Sequence, residues 1–181
     1  MNEGLIPSRY AKALFEFAGE NNADKRVYDM MHTLAGSFAA QPSLQQVMAN
    51  PFVDNADKVK LLTTAAGAGA DDKVYARFLQ LLVDNNRLAA MRDIALAYMK
   101  IYRREHKIYL VNVTSAAPFA PAEEERLKKL IERHLNGGTM EYNHSVDPDL
   151  IGGFVVNINN EKLDASIANE LKQLRLKLLS K

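Results

Sequence analysis

Four histidines, His32, His106, His134 and His144, are the side chains best suited to move protons or hold a transition metal near neutral pH. Their spacing serves neither task. No His-x-x-x-His pair puts two imidazoles on one helical face, as a zinc site would require. His144 alternates with apolar residues and His134 sits beside an apolar helical stripe, so both read as structural residues. Asp147-Pro148-Asp149 brings two carboxylates close together, but the proline between them favours a turn over a cation site. Glu123-Glu124-Glu125 suits the first turn of a helix, where negative charge meets the positive end of the helix dipole. Gly67-Ala68-Gly69 lacks the third glycine and the preceding strand of a dinucleotide loop, and no Walker A motif is present. No serine stands in a Gly-x-Ser-x-Gly elbow. Cysteine is absent, which removes thiol nucleophiles, disulfides and thiolate metal sites. The residues therefore predict no cofactor, no metal and no catalytic constellation.

The bulk properties narrow the remaining classes. The chain has 181 residues, 48% hydrophobic and 25% charged, which are globular values. Its formal charge is +1, too small an excess for a dedicated nucleic-acid binder, which must displace counterions from phosphates. The balance is local as well as global. Residues 1–105 hold 13 basic and 12 acidic side chains, and residues 106–181 hold 10 of each. No apolar run approaches the roughly 20 residues of a spanning helix, so direct membrane insertion is not expected. The opening segment MNEGLIPSRY has neither a signal-peptide nor a transit-peptide pattern, which predicts a cytosolic chain.

Periodicity divides the chain near residue 105. Before it, apolar residues recur at helical spacing. Ile6, Tyr10, Ala13, Leu14 and Phe17 form one face of a first helix, and Ala11, Phe15 and Ala18 lie to its side. Val27, Met31, Leu34 and Phe38 mark a second helix, closed by Gln41-Pro42. A short helix around Leu44 to Met48 ends at Asn50-Pro51. Asp54 is placed to cap a fourth, with Val59, Leu62 and Ala66 inside. Asp71 or Asp72 opens a fifth, with Val74, Phe78, Leu81 and Leu82 on one face and Tyr75, Leu79 and Val83 widening it. A sixth carries Met91, Ile94, Tyr98 and Ile101 to about Glu105. The prediction for 1–105 is an all-α six-helix bundle.

From His106 the period changes to that of strands. Lys107 to Ser115 is β-branched and aromatic. A helix after Pro121 turns Leu127, Leu130, Ile131 and His134 or Leu135 inward. Met140, Tyr142, His144 and Val146 alternate along a second strand, and Phe154, Val156 and Ile158 share one face of a third. Asn159-Asn160-Glu161 turns into a short strand at Lys162-Leu163, and Asp164 or Ser166 caps a last helix with Ile167, Leu171, Leu174 and Leu178 in its stripe. Residues 106–181 thus read as a smaller α+β domain. Gly152-Gly153, inside a β pattern, needs a reason: a fold-defining bend or the close approach of a partner, and the bend is favoured.

Several segments together resemble one family, the delta subunit of F-type ATP synthase, whose mitochondrial relative is the oligomycin-sensitivity-conferring protein. The likeness spans nearly the whole chain. It runs through Arg9-Tyr10-Ala11-Lys12-Ala13-Leu14-Phe15-Glu16-Phe17-Ala18, Asn50-Pro51-Phe52, Lys58 through Leu62, Phe78-Leu79-x-Leu81-Leu82, Asn85-Asn86-Arg87-Leu88 and Val113-Thr114-Ser115-Ala116. Its most specific part is Val146-Asp147-Pro148-Asp149-Leu150-Ile151-Gly152-Gly153-Phe154, and it closes with Asp164-Ala165-Ser166-Ile167 and the leucines 171, 174 and 178. The sequence departs from the family at Asn86 and Ala165, where glycine is frequent, and at Asn157, where a basic residue is common.

The resemblance implies a non-catalytic stator subunit that couples proton-driven rotation to ATP synthesis. Its helical domain, 1–105, would bind the N-terminal helix of an alpha subunit of the catalytic head. Its second domain, 106–181, would meet the b subunits of the peripheral stalk. The alpha-subunit site falls in a groove of the first and fifth helices, with Tyr10, Ala13, Leu14 and Phe17 on one wall and Phe78, Leu81 and Leu82 on the other. Each of these could instead face the bundle's own core. Stalk-facing candidates are Gly152, Gly153, Phe154, Leu171, Leu174 and Leu178. The implied location is the cytoplasmic face of a bacterial inner membrane, as a peripheral part of the synthase. The competing reading is a helical adaptor or small-ligand-binding protein of an unrelated family.

Overall fold

A computed structural model of the chain describes residues 4–69, 72–135, 137–159 and 161–179, without the side chains of 174, 175 and 177–179. It divides the chain into two compact units, Met1–Glu105 and His106–Lys181.

The described residues of the first unit form α1 (Leu5–Glu20), α2 (Asp24–Ala40), α3 (Pro42–Ala49), α4 (Asn55–Ala65), α5 (Lys73–Asp84) and α6 (Met91–Glu105), with a 3-10 turn at Leu88–Ala90. Both α1 and α2 lie against α6, and α5 reaches α1 and α4. Leu14, Val27, Met31, Leu34, Leu62, Leu79, Leu82, Ile94 and Tyr98 are buried in the core. Several polar groups taken out of water there are paired across helices, as burial favours. The Tyr98 hydroxyl donates to the Asp24 carbonyl at 2.9 Å, Tyr75 to Leu62 at 3.1 Å, and Ser37 Oγ to Ala65 at 2.8 Å. Each bond ties one helix to another or to the start of another.

The helix ends follow local chemistry. Asp72 caps α5, accepting from the Tyr75 N–H at 3.2 Å, while its other oxygen meets Arg26 at 3.0 Å; the alternative, Asp71, lies outside the described residues. Asp54 sits at the N-cap of α4, but its side chain makes no capping bond, so position alone overstated its role. Asn22 and Asn86 take left-handed φ values of 51° and 54° just beyond α1 and α5. Asparagine tolerates that region, which explains how Asn86 serves where the family resemblance suggests glycine.

In the second unit, β1 (Ile108–Ser115), α7 (Pro121–His134), β2 (Thr139–Val146), β3 (Gly153–Ile158), β4 (Glu161–Ser166) and α8 (Ile167–Leu179) build a four-stranded mixed sheet with helices. The order is β2-β1-β3-β4. β1 and β2 run parallel, joined through α7, and the β1–β3 and β3–β4 pairs are antiparallel. Val111, Val113 and Val156 pack with Ile131 and Leu135. One inward assignment on α7 is corrected, since Leu130 is 64% exposed, and of the alternatives His134 and Leu135 it is Leu135 that is buried while His134 is exposed. The terminal strand is longer than its sequence pattern suggested, running to Ser166.

Candidate functional site

The first unit carries an open trough between α1 and α5. Two lobes, of about 440 and 420 Å³, share Ala13 and Leu81. One is bounded by Leu14, Phe17, Arg77, Phe78, Gln80 and Asp84. The other is bounded by Ile6, Arg9, Tyr10 and Arg87. The lining order shows that α1 and α5 run antiparallel along it. From Ile6 to Phe17 the trough spans about 16 Å at 1.5 Å per helical residue, room for roughly three turns of a guest helix.

The trough exists because the apolar surface of α1 is wider than its core contact. Pro7, Ala11, Leu14 and Ala18 are buried. Small alanines on this stripe let α1 approach its neighbours closely. The stripe that periodicity ranked first is thus split: Leu14 goes inward, Ile6, Tyr10 and Phe17 are half-buried, and Ala13 is exposed. On α5 the core takes Val74, Tyr75, Phe78, Leu79 and Leu82, leaving Leu81 43% exposed. Six of the seven residues singled out from the sequence therefore line one trough, with Leu14 and Phe78 as its nearly buried floor. Leu82 does not. It is fully buried, because its position one residue on from Leu81 rotates it by about 100° into the interior.

Charged groups rim the trough. The Arg77 guanidinium lies 5.6 Å from the centre of the Phe17 ring, a cation–π contact. Gln80 donates to Asp84 at 2.8 Å. Arg9 and Arg87 are exposed at the other end. Arg77 and Gln80 had no signal in the apolar spacing, and Arg9 and Arg87 stood in the family resemblance without a place in the groove.

The second unit has its own open groove, about 700 Å³, between α7 and the β3–β4 hairpin. Phe154 lines it, with Leu130, Val156 and Leu163; Leu130 and Leu163 are over 60% exposed. On α8, Ile167, Leu171 and Leu176 are exposed by 44%, 53% and 58%. The side chains of Leu174 and Leu178 lie outside the described residues. Gly152 and Gly153 are pressed against their own chain. A Cβ on Gly152 would meet the Ile167 side chain, and one on Gly153, which has a φ of +76°, would run into the Ala165 carbonyl. Ser166 caps α8, accepting from Asn169 N–H at 3.2 Å, while its hydroxyl donates to Asp164 at 2.6 Å.

Several of the groups that first suggested chemistry, His144, Asp147, Glu123 and Glu124, are held in structural contacts. Ser115 Oγ donates to the Ala117 carbonyl at 2.6 Å, so the 2.7 Å contact with His144 Nε2 requires that nitrogen to be the donor. The His144 ring stacks on Phe119 at 5.0 Å. Asp147 accepts from the Asp149 N–H at 3.0 Å, a local turn. Glu123 accepts from the Ala120 N–H at the start of α7. Next to it, a hydrogen bond from Lys128 at 2.7 Å holds the Glu124 carboxyl below its ordinary range. Among the described residues no three His, Asp or Glu side chains converge on a metal-sized point, and no helix is long and apolar enough to cross a membrane.

The family model described as ATP synthase delta (OSCP) subunit matches residues 6–178. ATP synthase subunit delta of Parabacteroides distasonis is 40% identical over 179 residues, covering 99% of this chain and 98% of that protein. The subunit of the same name from Bacteroides thetaiotaomicron is 36% identical, covering 100% and 97%. A chain in the cryo-EM structure of the Toxoplasma gondii mitochondrial ATP synthase hexamer shares the fold, with a TM-score of 0.74 at 21% identity over 96% of this chain and 97% of that one.

Proposed function

This chain belongs to the ATP synthase delta (OSCP) subunit family, and from that premise we propose how its two units divide the family's work. It is a non-catalytic, structural subunit of the synthase stator, which resists the torque of the rotor so that rotation is coupled to ATP synthesis. The complex is peripheral to a membrane at this subunit, and for a chain with bacterial relatives the cytoplasmic face is the proposed side.

In our reading the first unit, as a six-helix bundle, receives the N-terminal helix of an alpha subunit in the α1–α5 trough. Tyr10, Ala13, Phe17 and Leu81 would touch the guest, over a floor of Leu14 and Phe78. The observation that carries this reading is the trough itself: apolar at its base, open to solvent, and about three helical turns long. The second unit would hold the b subunits of the stalk, through Phe154, the exposed Leu171 of α8 and, on the same helix, Leu174 and Leu178, with Gly152 and Gly153 setting the bend that leads into β3. Its large apolar side chains left in water, Leu130, Leu163, Ile167, Leu171 and Leu176, support the reading. Apolar contact fits the task, because a stator joint must be tight and needs no chemistry.

The test is calorimetric titration of the full chain with a peptide of the alpha subunit's N-terminus. One-to-one saturable binding is expected, and Leu81→Asp or Tyr10→Asp should weaken it without unfolding the helical unit. Absence of binding to the peptide and to the intact catalytic head would overturn the assignment of this trough.

A further inference from the structure

We infer that the α1–α5 trough selects its guest by charge, taking a helix that carries carboxylate side chains at the end lying over Arg9 and Arg87. The inference rests on the reading that a helix occupies the trough, and it adds which helix and in which direction.

Six residues bound the Arg9 lobe, and none of them is acidic. Both arginines are exposed, and among the described residues neither has an ion-pair partner. The other lobe is different. There Arg77 is stacked on Phe17, and the one acidic lining residue, Asp84, stands about two turns further along α5 and accepts a hydrogen bond from Gln80. The trough thus gathers three guanidinium groups against one carboxylate, in a chain whose whole formal charge is +1. The two arginines without an acidic lining neighbour share one lobe.

A guest helix laid into the trough strips water from this end. Covering two cations with apolar or cationic side chains leaves charge desolvated and unpaired, which is strongly unfavourable. Covering them with Glu or Asp replaces water by charge-assisted hydrogen bonds, and the planar guanidinium fork fits a carboxylate better than an ammonium would. Because α1 and α5 run antiparallel, Arg9 and Arg87 meet at the same end. The opposite end offers only the already stacked Arg77. A guest with its acids at one end is accepted in one direction and repelled in the other, which is specificity by an unfavourable alternative.

The experiment uses the full chain and two peptides: the first ~20 residues of the alpha subunit from the same genome, and the same peptide with Glu and Asp replaced by Gln and Asn. The Arg9→Gln/Arg87→Gln double variant should bind the natural peptide about ten-fold more weakly at low salt. The gap should narrow between about 50 and 500 mM NaCl as screening grows. The amide peptide should bind the unmodified chain as weakly as the natural peptide binds the variant, with no further loss when both are combined. Melting temperature should not change, since both side chains are in water. If Leu81→Asp abolishes binding but neither the arginine variant nor the amide peptide weakens it, charge selection is overturned and the trough reading stands. If no peptide binds, or binding ignores Leu81→Asp, both are overturned.

Discussion

Gly153 lies with its α-carbon packed onto the carbonyl of Ala165, across the β3–β4 pair, at a backbone φ of +76°. Two separate constraints meet at this residue. The left-handed region disfavours any side chain, and the space a Cβ would need is filled by backbone, which cannot swing aside as a rotamer can. Gly153→Ala should therefore lower the stability of the second unit by about 3 kcal/mol or more, combining strain with a forced shift of β4. Urea unfolding followed by hydrogen exchange in residues 153–166 reads this directly. A variant as stable as the parent but deficient in stalk binding would instead make Gly153 a partner contact.

Leu81 and Leu82 are chemically identical neighbours with opposite expected behaviour. Leu82 is fully buried, so Leu82→Ala should cost about 3 kcal/mol through lost packing and a residual cavity. Leu81 is 43% exposed, so Leu81→Ala should cost less than about 1 kcal/mol of stability. It should nevertheless weaken the alpha-subunit peptide. Equal stability losses for the two variants would contradict the placement of α5.

Tyr75 links α5 to α4 through its hydroxyl. Burial, aided by the negative charge of Asp72, pushes this phenol well above its ordinary range. A group whose folded pKa is raised contributes stability in full below its unfolded pKa, and that contribution is lost as pH climbs beyond it. The first unit should thus weaken above about pH 10. Tyr75→Phe should cost about 1 kcal/mol at neutral pH, because Leu62 keeps its bond from the Ala66 N–H, and should flatten the alkaline loss. Thermal melts between pH 7 and 11 on both proteins check the sign.

Asp164 behaves in the opposite sense. A hydrogen bond from Ser166 and, next, one from Lys162 hold its carboxyl below the ordinary range. A depressed folded pKa gives stability that is present above the unfolded value and is lost as pH falls through the folded one. Acid should therefore loosen the β4–α8 junction, where Ser166 caps the helix. Amide exchange at 166–170 should rise as pH drops below about 4, after correction for intrinsic rates, and Asp164→Ala should show fast exchange already at neutral pH.

Local patterns determined much of this protein from sequence alone. The change from a 3.6-residue to a two-residue apolar period fell at the same place as the division into Met1–Glu105 and His106–Lys181. Such periods are set by backbone geometry within one element, so they need no partner to be legible. The turn at Asp147 was readable for the same reason. Tertiary structure alone decided which apolar stripe faces the core. Residues 10, 13 and 17 and residues 11, 14 and 18 of α1 are both spaced as a helical face. Only the neighbouring α6 and α5 assign the second set to the interior and leave the first beside a trough. The same holds for Leu81 against Leu82. The convergence of Arg9 and Arg87 had no local signature, because they stand 78 positions apart and meet only when α1 and α5 lie antiparallel.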